Sequence, residues 1–145
     1  MEKDLSLDLF IVLSRAYRAV SAHSEQDIRR SGLNTTEFGV LELLYHKGPH
    51  PLQQIGGKIL LASGSITYVV DKLEQKGLLE RKTCEEDRRI TFASITENGK
   101  QLMDEIFPEH IRAIQTAVEA LSAEEKETAI HLLKKLGKHA QTRLP

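Results

Sequence analysis

At 145 residues, 40% of them hydrophobic, the chain suits one domain, or one domain with an appended segment. Twenty Lys and Arg face twenty-one Asp and Glu, and the net charge of −1 excludes a protein that holds a polyanion by bulk positive charge. The one cysteine excludes an internal disulfide, and no apolar run approaches the ~20 residues of a membrane span, so a cytoplasmic chain without membrane contact is expected.

The opening stretch MEKDLSLDLFIVLSRAYR has a short apolar run with acidic flanks, unlike a signal peptide. Leu5, Leu9, Val12, Leu13, Ala16, Tyr17 and Val20 recur at three- and four-residue steps and predict a helix from Leu5 to about Arg29, stopped by Gly32. Asn34 with Glu37 reads as a capping box opening a second helix, whose buried face is Phe38, Val40, Leu41, Leu43 and Leu44. Gly48-Pro49-His50-Pro51 breaks the chain. Leu52 to Leu60 predicts a short third helix in which Gly56 and Gly57 admit a close neighbour. A tight turn at Leu61-Ala62 leads to a fourth helix, about Ser63 to Lys76, with Ile66, Val69, Val70 and Leu73 inward and Gly77 as its stop. Leu78 to Thr83 and Ile90 to Ile95 are β-prone, and Cys84 to Arg89 makes the hairpin loop between them. Thr96 starts a fifth helix, which Pro108 should kink. Ser122 with Glu125 is a second capping box, opening a sixth helix with Ala129, Ile130, Leu133 and Leu136 on one side.

This order predicts a mainly α fold: a winged helix-turn-helix with N- and C-terminal helices forming a dimerisation region. Residues 34–96 would be the DNA-binding lobe, and 1–33 with 97–145 the dimerisation helices. The terminal helices carry apolar stripes that the small lobe cannot cover, and burial is worth roughly 25 cal/mol per Å². A second copy is the simplest cover, which predicts a homodimer on palindromic double-stranded DNA.

The fourth helix and hairpin suit two adjacent grooves of a duplex. The helix fits the major groove and an arginine on the hairpin the minor groove. Asp87-Arg88-Arg89, followed by Ile95-Thr96-Glu97-Asn98-Gly99, resembles the D-x-R wing and L-T-x-x-G helix start of the MarR family of bacterial transcriptional regulators, with Ile in place of Leu. Leu73-Glu74-Gln75-Lys76-Gly77-Leu78 resembles the segment that closes that family's recognition helix. The stretches Leu52 to Gly56 and Leu60 to Thr67 are most similar to its MhqR-like subgroup, associated with sensing quinones and related phenolics. The resemblance covers nearly the whole chain.

Ser63, Ser65, Thr67 and Tyr68 are the candidate DNA contacts at the start of the fourth helix. Short hydroxyls read base edges or donate to phosphates, and a helix N-terminus offers unpaired N–H groups. Taken alone, Ser63 is a cap and Thr67 a neutral surface residue; the wing and the family resemblance favour contact. Arg89 resembles the family's minor-groove arginine, and Asp87 could fix its guanidinium through a bidentate pair along an extended strand. Arg88 fits an ordinary surface ion pair better. Lys72, Lys76, Arg81 and Lys82 are either phosphate neighbours or solvated charges. In this family the effector pocket lies where the DNA-binding lobe meets the dimer helices; Phe10, Tyr17, Phe38 and Tyr45 are then candidate pocket aromatics, with plain core packing as the alternative.

No metal or cofactor is expected. The six histidines lack ligand spacing: zinc-responsive relatives use His-x-x-x-His on the fifth helix, and the partner of His110 would be Ile114, so the histidines are expected to be solvated or capping. Relatives with a thiol sensor carry a reactive cysteine near the N-terminus, whereas Cys84 lies beside the wing. Gly-x-Ser-x-Gly, Cys/His and phosphate-loop motifs are absent, so no enzyme is expected. The function expected is that of a sequence-specific repressor released by a small phenolic or quinone effector. The alternatives are a winged-helix module that binds protein, or a regulator that senses metal or redox state.

Overall fold

The computed structural model describes residues 4–59 and 66–145. Helix α1 (Leu5–Arg30) starts where the Asp4 carboxylate accepts from the Ser6 N–H at 2.9 Å, and it ends before Gly32, whose φ of +84° suits glycine. Helix α2 (Thr35–Lys47) opens on the expected capping box: the Glu37 N–H donates to Asn34 Oδ1 at 2.8 Å, and the Asn34 N–H to Glu37 Oε1 at 3.0 Å.

The segment read only as a chain break holds a short strand, β1 (His50–Pro51). It pairs antiparallel with the later strand at His50–Ala93 and Pro51–Phe92. Two residues, one of them Pro51 itself, give no alternation to read, and β1 is an edge strand, where a proline's missing N–H is tolerated. Helix α3 (Leu52–Lys58) and helix α4 (Ile66–Gln75) follow. The turn expected at Leu61-Ala62 and the start of α4 at Ser63 lie outside the described residues. A Cβ on Gly56 would stand 3.3 Å from Ile66 Cγ1, so Gly56 does admit the neighbouring helix; at Gly57 a Cβ meets nothing.

Strands β2 (Leu79–Thr83) and β3 (Thr91–Ile95) form the hairpin, giving a sheet of order β1-β3-β2. Helix α5 (Glu97–Ala117) runs through Pro108 as a single helix, and α6 (Ala123–Thr142) opens on the expected Ser122–Glu125 box. Among the described residues no helix is long and apolar enough to cross a membrane.

One core joins these elements. Val40, Leu41 and Leu44 of α2 meet Ile55, Val70, Leu73, Leu79, Ala93 and Met103, all essentially inaccessible. Ile66 and Leu43 pack partly buried at its edge. The Ile95 to Gly99 motif locks α5 to this body. Thr96 Oγ1 donates to the Gly77 carbonyl at 2.6 Å and accepts from the Gly99 N–H at 3.1 Å. Gly99 lies against the Leu78 carbonyl, and a Cβ there would stand only 2.6 Å from Ile95 Cγ1. Helix α1 packs along α5, but its first two turns keep Leu5, Leu9, Phe10 and Val12 exposed. Helix α6 buries none of its residues, and Ile130, Leu133 and Leu136 face outward.

Candidate nucleic-acid interface

Helix α4 is sharply two-sided. Val69, Val70 and Leu73 pin one side to the core, and Thr67, Tyr68 and Lys72 stand exposed on the other. Lys72 Nζ lies 5.1 Å from the centre of the Tyr68 ring, a cation–π contact that holds the ammonium over the ring. Gln75, not singled out from the sequence, is exposed seven residues after Tyr68 and shares its face. Its signal was available as helical spacing. Ser63 and Ser65 lie outside the described residues.

The wing presents Arg89 with 91% of its side chain exposed. Arg89 Nε and Nη2 donate to Asp87 Oδ1 and Oδ2 at 3.0 and 3.2 Å, and the Arg89 N–H reaches Oδ1 at 3.1 Å. The bidentate pair is as expected, but its backbone is not. Asp87 and Arg89 sit in the turn, closed by the Ile90 N–H to the Asp87 carbonyl at 3.0 Å, and β3 begins only at Thr91. The bonds from the Arg89 side chain and backbone hold the Asp87 carboxyl below its usual range. The guanidinium is thus tethered from one side and open on the other.

The remaining cations are less free than the sequence suggests. Lys76 Nζ bonds Glu37 Oε2 at 2.8 Å, tying the end of α4 to the start of α2. Arg81 pairs with Asp71, and its Nε lies 3.3 Å from Glu74 Oε2. Both carboxylates raise the Arg81 pKa. Lys82 pairs with Glu80 at 3.3 Å. Lys76 and Arg81 are therefore not free solvated charges: each ties α4 to a neighbouring element. Among the described residues, Lys72 and Arg88 make no ion pair. Arg88 lies with Thr83, Cys84 and Glu85 at an open hollow beside the wing.

Of the candidate pocket aromatics, Tyr17 and Phe38 share a cleft of about 220 Å³ between α1, α2 and α5, with Ser21, Glu25, Glu42 and His110 also on its walls. A wider cleft of about 500 Å³ adjoins it across Gly39, Glu42 and Ile59 and reaches Phe107. Tyr45 packs on Phe107 with ring centres 6.3 Å apart and donates to the Asp104 carboxylate, which raises the tyrosine pKa. Phe10, 65% exposed, stands two turns up α1 from Tyr17.

His110 corrects the expectation that the histidines are solvated or capping. It is 8% exposed, its Nδ1 lies 3.2 Å from Asp27 Oδ2 of α1, and its ring centre lies 4.5 Å from that of Phe38. The pair joins α1 to α5 at the wall of the cleft. A lone histidine in a mixed helix carried no sign of this partner 83 residues away.

A helix-turn-helix with a three-stranded wing and exposed polar groups on its second helix, α4, defines a winged helix-turn-helix protein. Comparison with known proteins makes the assignment specific. The MarR family profile matches residues 33–91. The HTH-type transcriptional regulator MhqR of Bacillus subtilis is 61% identical over 136 residues, 94% of each chain. The chain belongs to the MarR family of DNA-binding transcriptional regulators, whose members here are regulators and not enzymes. Among solved structures, Sco3205 of Streptomyces coelicolor, a MarR regulator in complex with DNA, superposes with a TM-score of 0.84 at 18% identity, over 96% of this chain and 89% of that one. BpsR of Bordetella bronchiseptica, whose DNA binding is regulated by 6-hydroxynicotinic acid, gives 0.78 at 25% identity over 90% and 98%.

Proposed function

We propose that the protein is a cytoplasmic homodimeric repressor that binds a palindromic duplex through α4 and the wing and leaves it when a small hydroxylated aromatic fills the cleft beside His110. The observation that carries the reading is Arg89, held by Asp87 at the tip of the wing with its outer face open. A guanidinium fixed before contact loses little freedom on entering a minor groove. Thr67, Tyr68 and Lys72 then face the adjacent major groove, and Ser63 and Ser65, just before α4 in the sequence, are further candidate contacts. Arg88 supplies phosphate contact.

The division of labour follows the exposed surfaces. Residues 34–96 read DNA, and 1–33 with 97–145 clasp a second copy. The outward faces of α1 and α6 are the apolar surface that the clasp would cover.

The chemistry of the smaller cleft favours a neutral effector with hydroxyl donors. Tyr17 and Phe38 offer ring faces, Glu25 and Glu42 accept hydrogen bonds, and no Lys or Arg lies among its described walls. An effector acts only if it binds one spacing of the two α4 helices better than another. The response of BpsR to 6-hydroxynicotinic acid supports a hydroxylated aromatic ring, while the neutral charge rests on the walls of this cleft alone.

The test is selection of bound duplexes from a random pool, with and without added hydroquinones and catechols. The expected product is a palindrome with half-sites about one helical turn, ~10 base pairs, apart, lost when the effector is present. A pool that stays random would refute DNA recognition, and a palindrome indifferent to every phenolic would refute the effector class.

A further inference from the structure

We propose that Arg81 is a positioning residue for DNA recognition: it touches no phosphate and instead fixes the distance and angle between α4 and the wing. The proposal rests on the reading of α4 and Arg89 as the DNA-contacting surface, and its test separates the two.

Leu79 and Arg81 point to the same side of β2, since side chains alternate along a strand. Leu79 is buried in the core, so Arg81 is aimed at the edge of the same core, where α4 leans on the sheet. There its guanidinium bonds Asp71 and lies 3.3 Å from Glu74 Oε2, while the Arg81 backbone N–H donates to the same Glu74 oxygen at 3.2 Å. Asp71 and Glu74 stand one turn apart on α4. One cation therefore spans a full turn of the recognition helix from a strand of the wing, using both side chain and backbone. Only 27% of the Arg81 side chain is exposed, against 91% for Arg89. Just past the C-terminal end of α4, Lys76 ties it to Glu37 of α2. The helix is fixed on two sides, and the faces left open are those of Tyr68 and Lys72.

The brace matters because two grooves must be met at once. If α4 and the wing drift relative to each other, Arg89 cannot reach its groove while Thr67 and Tyr68 sit in theirs. Phosphate attraction would survive that drift, but selective recognition would not.

Bulk electrostatics and a brace predict opposite signs for one substitution. Asp71 carries negative charge beside the surface that DNA approaches, so Asp71→Asn tightens duplex binding if charge alone matters. If the brace matters, the same change loosens it. The experiment titrates full-length wild type, Asp71→Asn, Arg81→Lys and Arg89→Ala with the selected palindrome and with an unrelated duplex, over a range of salt, after thermal unfolding confirms folded protein.

The brace predicts that Asp71→Asn and Arg81→Lys each lose at least fivefold on the palindrome while losing nothing on the unrelated duplex, where removal of the Asp71 charge can only help. A phosphate contact at Arg81 predicts that Lys substitutes for it without loss, and this result, or tighter palindrome binding by Asp71→Asn, overturns the proposal. Should Asp71→Asn fail to fold, Arg81→Lys decides alone. If Arg89→Ala binds like wild type, the reading of the surface is at fault; if only Arg89→Ala weakens, the surface stands and the brace falls.

Discussion

At the scale of single residues, Glu37 shows how one carboxylate can cap its own helix and tie it to another. Burial opposes its charge. The bond from Lys76 Nζ, the Asn34 N–H and the nearby Lys72 outweigh that, and Glu37 titrates below its ordinary value of 4.5. A depressed carboxyl adds stability above its unfolded-chain pKa and loses it as the pH falls through the folded value. Glu37→Gln keeps the capping geometry and removes the charge, so it should lower stability at neutral pH by about 1 kcal/mol. The gap should close as the pH drops below 4.5, as read by urea unfolding across pH. The capping pair was legible in the sequence because both partners lie within four residues. Lys76 was not, because an ion pair 39 residues apart leaves no local trace. His110 with Asp27, 83 residues apart, was hidden for the same reason, and Arg81 with Asp71 and Glu74 because the pairing runs from a strand back to a helix across the turn at Gly77.

At the scale of elements, the pattern of helices and hairpin was open to sequence reading because each has its own period and its own stop. Gly77 at φ +74° ends the turn after α4, as a glycine there should. Strand β1 escaped because two residues carry no period. The motif around Thr96 acquires a cause: its hydroxyl stitches the start of α5 to the carbonyl of Gly77, and Gly99 leaves room for the Leu78 carbonyl. Gly99→Ala should therefore destabilise the fold by about 1–3 kcal/mol through overpacking, read as a lower midpoint in chemical unfolding. A neutral result would mean that α5 can shift away from the hairpin at no cost.

At the scale of the molecule, the terminal helices remain to be covered. Their apolar stripes were plain in the sequence, and the structure leaves them facing outward on α1 and α6. What the sequence did not disclose is that no residue of α6 is fully buried against its own chain, since an amphipathic stripe looks the same whether its partner is internal or a second copy. Leu133→Glu would place a charge in the proposed clasp, and it should convert a dimer to a monomer in sedimentation velocity while leaving the helical circular dichroism unchanged. A dimer that survives this change and the companion Ile130→Glu would move the clasp elsewhere.

The cleft is a property of the whole molecule as well. Tyr17 and Phe38 meet there only because α1 crosses α2, and the sequence could name the aromatics without saying which would meet. Phe10 and Tyr45 lie outside that cleft, on the exposed arm and against Phe107.

The central claim is that the wing's open guanidinium engages a duplex in concert with α4, and a fluorescence anisotropy titration of the selected palindrome with wild type and Arg89→Ala tests it most directly. The account predicts salt-dependent binding by wild type at two protomers per duplex, and a loss of at least a hundredfold for Arg89→Ala with the dimer and the thermal midpoint unchanged. Wild-type affinity in folded, dimeric Arg89→Ala would contradict it.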